Sequence, residues 1–272
     1  MNRDLQLIDG YHLPVLGFGL YKVPPEQTGE VIAAGVAAGY RLVDGAEFYG
    51  TEKEVGEALR RIDIDRSLLT VTSKFWGEES QSRDAVLASF DATERALGVK
   101  VDLYMIHWPR PSRGQYVDVW RTLIELRDAG RVRSIGVSNF TEEHLARLID
   151  ETGEIPVVNQ VELHPYLQQE QLRDFHAQHG IVTQAWSPLG RGNVLADPAI
   201  TEIAAAHGVT PAQAIIRWHL QVGNAVIPKS VNPERLRSNL DVLGFELTAE
   251  EMATFEGLER GQRFGTAPDE RQ

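Results

Sequence analysis

The feature that most restricts the fold of this chain is a repeated alternation of short, apolar, strand-like runs with longer segments of helical periodicity. The strand-like runs fall at residues 14–19, 41–44, 68–74, 101–107, 132–138, 157–162, 181–187 and 225–228. Helical patterns fall after Pro24-Pro25 through Ala38 and at residues 52–61, 82–97, 116–128, 142–150, 169–179 and 233–240, with a pair of helices across 198–220. Regular strand–helix alternation builds parallel sheets, and about eight units is the repeat count of a closed barrel. At 272 residues and 30.3 kDa the chain matches the roughly 250 residues of one such barrel. No linker-like change of composition interrupts the series, so residues 1–272 read as a single α/β domain, a (β/α)8 TIM barrel. Residues 5–13, two short runs about Asp9-Gly10, predict a β-hairpin that caps the barrel from outside the main fold. An extra helix and loop follow the last unit at the C-terminus. A doubly wound open sheet is the competing architecture, and it wants a glycine-rich dinucleotide fingerprint after an early strand. Gly17-Phe18-Gly19-Leu20-Tyr21-Lys22 lacks the third glycine.

The formal net charge of -12 sets up a field that repels nucleic-acid backbones and anionic lipid. Neither is an expected partner, and an anionic cofactor would need a local basic cluster. The chain has no cysteine, which excludes disulfides, thiolate nucleophiles and thiolate metal ligands and fits a reducing, cytoplasmic setting. Residues 1–6 lack the apolar core of a secretory leader, and no apolar run reaches the roughly 20 residues that span a bilayer.

In an α/β barrel, chemistry sits where the strands end at their C-terminal side. The predicted ends carry Asp44, Lys74, His107, Ser138-Asn139, Gln160, Trp186-Ser187 and, just past Pro228, Lys229-Ser230. Each has a plain structural reading alone: a helix cap for Asp44, a half-buried ring for Tyr49, a rim ion pair for Lys74, a hydrogen-bonded core imidazole for His107. Together they suit carbonyl reduction. A phenol of pKa about 10 is a poor acid near neutrality, and an adjacent ammonium is expected to lower that pKa. Asp44 would keep Lys74 charged and aimed, His107 would orient the substrate oxygen, and Tyr49 would deliver the proton. No side chain supplies a hydride, so a nicotinamide cofactor is implied. Ser138, Asn139 and Gln160 suit its carboxamide, and Trp186 offers a flat face to its ring. The segment from Lys229 to Arg235, a basic loop opening a helix, suits a phosphate such as the 2′-phosphate of NADP. A capped surface helix is an equally good reading of that loop by itself.

At these residues the sequence resembles the aldo-keto reductases over essentially its whole length. The matching motifs are Leu16-Gly17-Phe18-Gly19, Asp44 to Gly50, Ser73-Lys74, Val101 to Pro109, Gly136-Val137-Ser138-Asn139-Phe140, Asn159-Gln160-Val161-Glu162-Leu163-His164-Pro165 and Ile227-Pro228-Lys229-Ser230. The resemblance implies a catalytic tetrad of Asp44, Tyr49, Lys74 and His107, NADPH bound without a Rossmann fold, no metal, and a monomer. It also implies cofactor contacts from Ser138, Asn139, Gln160, Trp186, Ser187, Leu189, Lys229, Ser230, Val231, Asn232, Arg235 and Asn239, and pocket walls from Tyr21, Phe48, Trp76 and Trp108. Trp186, where many relatives have Tyr, and the short connection from Trp108 to Tyr116 look most like the bacterial branch that includes the 2,5-diketo-D-gluconate reductases. Two positions depart from the family pattern. Gly45 stands where Thr is usual, which would loosen the turn between Asp44 and Tyr49, and Ser238 replaces a common Glu near the adenine. The tail at residues 261–265 is short and glycine-flanked, so no tight lid and a broad choice of carbonyls are expected.

Three other functions compete. A Schiff-base aldolase would use Lys74 as an imine-forming amine but leaves Trp186, Gln160 and the Lys229 loop without a purpose. An NADPH-binding regulatory subunit would keep the fold and turn over little. A glycosidase would need a carboxylate pair such as Glu47 and Glu162.

Overall fold

The computed structural model describes residues 4–271. Residues 1–3, on which half of the leader reading falls, lie outside them. Among the described residues no helix is long and apolar enough to cross a membrane.

A two-stranded hairpin, β1 (Asp4–Gln6) and β2 (His12–Pro14), precedes eight parallel strands. These are β3 (Phe18–Gly19), β4 (Leu42–Asp44), β5 (Thr70–Phe75), β6 (Leu103–Ile106), β7 (Ser134–Ser138), β8 (Val158–Glu162), β9 (Val182–Trp186) and β10 (Ala225–Val226). Each pairs with the next in sequence. The ring closes where Leu16 bridges Val226 in parallel: Gly17 N–H donates to the Val226 carbonyl at 2.9 Å, and Val226 N–H donates to Val15 at 2.8 Å. The predicted first strand therefore divides its work, with residues 15–17 sealing the barrel and Phe18–Gly19 pairing with β4.

Among the described residues ten helices surround the ring: α1 (Pro25–Ala38), α2 (Glu52–Arg61), α3 (Arg83–Leu97), α4 (Tyr116–Asp128), α5 (Glu142–Thr152), α6 (Glu170–His179), α7 (Pro198–Ala206), α8 (Pro211–Gln221), α9 (Pro233–Leu240) and α10 (Ala249–Glu256). Several start as their sequences dictate. Thr141, Thr210 and Thr248 each accept the N–H three residues on, and the side chain at that third position returns a bond to the cap backbone. The layer between sheet and helices is one continuous apolar core containing Phe18, Phe90, Trp120, Trp218 and Phe255, all fully buried. Burial of each such side chain contributes about 1.5–3 kcal/mol.

Inside the ring lies a second cluster of Leu42, Leu103, Met105, Val158 and Ala225, and the hairpin adds Leu7 and Leu13 to it. The hairpin is thus a plug with its own stake in the core. Its turn is wider than Asp9-Gly10 alone predicted, because β1 and β2 pair as Gln6↔His12 and Leu7 N–H bonds to the Tyr11 carbonyl across residues 7–11.

Register then fixes the geometry of the opposite rim. Asp44 on β4 lies beside Thr72 on β5. Side chains alternate along a strand, so Lys74 emerges on the same face as Thr72 and returns to Asp44.

Candidate active site

Lys74 is completely buried and Asp44 is 2% exposed. The ammonium donates to both Asp44 carboxylate oxygens, at 2.8 and 2.9 Å, and to the Gly45 carbonyl at 2.8 Å. Thr72 Oγ1 and Gln160 Nε2 also donate to Asp44, at 2.9 and 2.8 Å. Two charges taken out of water are tolerable only with partners satisfied this fully. Burial pulls the lysine pKa downward while Asp44 pulls against it. Gly45 does not loosen the turn, contrary to expectation. Its N–H bonds to Thr72 at 3.1 Å, its carbonyl holds Lys74, and a Cβ there would sit 3.1 Å from the Thr72 carbonyl.

A 3-10 turn, Glu47–Tyr49, brings the Tyr49 hydroxyl to 3.5 Å from Lys74 Nζ. The expected lowering of the phenol pKa is not what the surroundings produce. Burial first, then the charge of Asp44 and the neighbouring Tyr21, hold Tyr49 well above its ordinary value. The hydroxyl accordingly stays protonated until something in the cavity draws its proton away. His107, one residue beyond β6, has its ring centre 6.0 Å from that of Tyr49. Burial, with the positive charges of Lys74, Arg271 and Arg110, holds His107 well below its ordinary value, so the ring is neutral. Its Nδ1 is buried and has no partner among the described residues.

Asp44, Tyr49 and His107 line a cavity of about 600 Å³, within the size range of ligand sites, and Lys74 lies behind its wall. All four predicted wall residues, Tyr21, Phe48, Trp76 and Trp108, line it. Phe48 stacks on Trp76 at 3.9 Å, and Trp76 stands edge-on to His107 at 5.1 Å. Glu47 fixes this wall by accepting the Trp76 backbone N–H at 3.0 Å and the Ser89 hydroxyl at 2.9 Å.

Of the twelve predicted cofactor residues, Ser138, Asn139, Gln160, Trp186, Ser187, Leu189, Lys229 and Arg235 line the cavity. Several already hold one another. Asn139, with a left-handed backbone, donates to the His107 carbonyl at 2.9 Å and accepts the Trp186 indole N–H at 2.8 Å. Ser138 Oγ donates to the Gln160 carbonyl, and Gln160 Nε2 also reaches Gln184 Oε1 at 2.7 Å. The remaining four stand off the cavity wall. Asn232 caps α9, accepting the N–H groups of Glu234 and Arg235, while Ser230 bonds to Asn232. Val231 is exposed and Asn239 is buried.

The cavity also has walls that sequence reading missed. Lys22, Arg191, Thr266 and Arg271 all line it. The last two belong to the C-terminal tail, which crosses the site. Glu162, fully buried on β8, accepts the backbone N–H of Phe264 at 2.7 Å and of Gly265 at 3.1 Å, and contacts His164 Nε2 at 3.2 Å. Gly265 lies flat on Trp186, where any Cβ would come within 2.5 Å of the indole. The one signal in the sequence was a glycine where the tail had to meet an aromatic face. Glu47 and Glu162 are thus both committed to backbone N–H groups, which argues against their use as a glycosidase pair.

The rim of this closed parallel barrel joins a buried ion pair, a protonated phenol and a neutral imidazole, a set of groups chemically able to hold and move a proton. The Aldo/keto reductase family model matches residues 15–260, and the chain belongs to that family. An aldo-keto reductase of Mycobacterium sp. (strain KMS) is 52% identical over 263 residues, 96% of this chain and 95% of that one. The 2,5-diketo-D-gluconic acid reductase B of Corynebacterium sp. (strain SHS752001) is 47% identical, covering 97% and 96%. Among solved structures, apo Gox0644 superposes with a TM-score of 0.94 at 47% identity, covering 98% of each chain. A Gox0644 mutant solved in complex with NADPH gives the same values.

Proposed function

We propose that this chain reduces small aldehydes and ketones, dicarbonyls, keto-sugars or aromatic aldehydes among them, to alcohols with NADPH, using Tyr49 as proton donor. Membership of the family makes it an NADP-dependent oxidoreductase. The choice of carbonyls and the role of each residue are our reading. The observation that carries it is Lys74 Nζ held between the Asp44 carboxylate and the Tyr49 oxygen, on the same wall as His107.

The lining residues suit NADPH. Trp186, its indole N–H held by Asn139, offers a fixed face for the nicotinamide ring. Gln160 commits its amide nitrogen to Asp44 and Gln184, so its carbonyl oxygen is the group for a carboxamide N–H. Lys229 and Arg235 provide positive charge for phosphates, Arg235 for the 2′-phosphate. Ser187 and Leu189 complete the wall. Ser230, Val231 and Asn232 belong to the loop that carries Lys229, and Asn239 is buried on the helix that carries Arg235. When bound, the cofactor supplies a hydride to the carbonyl carbon.

The proton follows from this chain's own residues. A proton on His107 Nδ1 would have no acceptor, so Nε2 carries it and donates to the substrate oxygen. As negative charge grows on that oxygen, Tyr49 releases its proton to it. Lys74, already in place, stabilises the phenolate left behind, and no reorganisation is needed at that moment. The aldolase reading fits poorly. All three Lys74 N–H bonds have acceptors and the side chain is sealed from the cavity, whereas imine formation needs a free amine lone pair.

The test is loss of NADPH absorbance with purified protein and methylglyoxal or a nitrobenzaldehyde, with NADH in parallel. Turnover that prefers NADPH is expected. Tight NADPH binding without turnover of any carbonyl would overturn the reading in favour of a regulatory subunit.

A further inference from the structure

The motif from Asp44 to Gly50 holds two carboxylates, and the proton-transfer scheme uses only Asp44. The other, Glu47, is half-buried and stands outside the residues that line the cavity. Its Oε2 accepts two hydrogen bonds, from the Trp76 backbone N–H at 3.0 Å and from the Ser89 hydroxyl on α3 at 2.9 Å. Strand register accounts for the first. β4 and β5 pair as Leu42↔Thr70 and Asp44↔Thr72, and Thr70 N–H donates to the Arg41 carbonyl, so the even-numbered N–H groups of β5 face β4. β4 stops at Asp44, however, and the chain turns off into the 3-10 turn Glu47–Tyr49. Trp76 N–H therefore faces a strand that has already ended. Glu47 Oε2 stands in for the missing carbonyl, a partner that a backbone N–H needs once water is displaced.

Three aromatic rings surround the His107 imidazole, Trp76 at 5.1 Å, Tyr49 at 6.0 Å and Phe48 at 6.2 Å between ring centres. Phe48 and Tyr49 follow Glu47 directly in the turn, and Trp76 is the residue whose N–H it holds. One side chain thus joins the turn that carries the phenol to the strand end that backs the imidazole, and Ser89 ties that junction to α3.

We propose that Glu47 is a positioning residue for the reaction, setting Tyr49 and His107 against one another through Trp76, and that it works as a hydrogen-bond acceptor of fixed reach rather than as a charge or a base. This rests on the reductase reading and adds to it a residue that touches neither cofactor nor substrate. Both groups must meet one substrate oxygen, and a misplacement on the order of 1 Å costs about a hundredfold in rate. Lys74 still holds the start of the turn through the Gly45 carbonyl, so loss of Glu47 frees the tip of the turn and leaves the ion pair in place.

Reach and charge are separable by substitution. Both bonds end on one oxygen, so a glutamine carbonyl can accept them, whereas aspartate keeps the charge and is one methylene too short. The experiment compares Glu47→Gln, Glu47→Asp and Glu47→Ala with wild type, using NADPH and methylglyoxal below the melting temperature of every variant. We expect kcat of Glu47→Gln within about threefold of wild type, and kcat of the Asp and Ala variants lower by about tenfold to a hundredfold. NADPH affinity, read by tryptophan fluorescence quenching, should be unchanged in all three. The solvent deuterium isotope effect on kcat should rise in the Asp and Ala variants, because proton delivery becomes the slow step. A role confined to stability would lower melting temperatures and leave the isotope effect alone, and that result overturns the proposal. Should Glu47→Ala not fold, the Gln and Asp variants decide by themselves. An Asp variant as fast as the Gln variant, or faster, overturns the proposal and leaves the reductase reading standing. Wild-type protein that consumes no NADPH with methylglyoxal or a nitrobenzaldehyde overturns the two together.

Discussion

On the β4–β6 side of the rim, the Lys74–Asp44 pair is sealed from water and every Lys74 N–H has an acceptor in the protein. On the β10 side, Lys229, Val231, Asn232 and Arg235 are exposed, and among the described residues no carboxylate pairs with Lys229 or Arg235. The same residue types are thus used in opposite ways. Where a proton must move, the charges are fixed in advance and desolvated, so that they act strongly and need not rearrange. Where an anionic ligand must arrive and leave, charge is kept solvated, since a buried and unpaired lysine would lose its proton. A positive charge by itself says little about its role. Its burial and partners decide whether it tunes chemistry or captures a ligand.

The difference can be broken from either side. Under the proposed mechanism Tyr49→Phe removes the proton donor, and kcat should fall by about a hundredfold to ten-thousandfold with NADPH binding retained. Steady-state kinetics beside fluorescence titration would show it, and wild-type turnover would place the acid elsewhere. Lys74→Met leaves Asp44 buried without a counter-charge, which should cost about 3–5 kcal/mol in denaturant unfolding. Unchanged stability would mean that water reaches the pair after all. On the open side, Arg235→Ala should leave the fold intact and weaken NADPH by about tenfold to a hundredfold while hardly affecting NADH. Equal losses for both cofactors would remove the 2′-phosphate role.

The smallest effect extends the rule of closed sites to the rest of the core. His176 and His219 are buried neutral, and burial pushes each down to about 3. Between the unfolded value near 6.5 and that folded value, the unfolded chain binds more protons than the native one. Stability is therefore full above pH 6.5 and declines as pH falls toward 3, by at most about 1.4 kcal/mol per pH unit for each histidine. Melting temperatures from pH 7.5 to 5 should fall accordingly, and a flat profile would mean that these imidazoles become charged in place.

Much of this is legible in the sequence. The strand–helix alternation gave the ring, and Asp44, Lys74, Ser138 and Trp186 stand at or next to strand ends as read. Other features were read wrongly or not at all. Gly45 reads as slack in the sequence because its missing side chain is local information. That its carbonyl would meet Lys74 depends on the register of β4 against β5. Tyr49 was expected to have a lowered pKa from its proximity to lysine, yet the cost of burial and the facing Asp44 count for more. Arg271 and Thr266 were missed because nothing in the tail's composition says that it turns back over the pocket. Glu162, 102 residues away from Phe264, makes that decision.

By itself the sequence determined the fold class, the order of the strands and many of the side chains at the cavity rim, because hydrophobic periodicity and strand-end positions are local properties of the chain. Tertiary structure alone decided which of those groups are satisfied by one another, which way the phenol and the imidazole are biased, and that the C-terminal tail forms a wall of the site. Those outcomes depend on desolvation and on contacts between residues far apart in the chain, and neither is written in any single stretch of it.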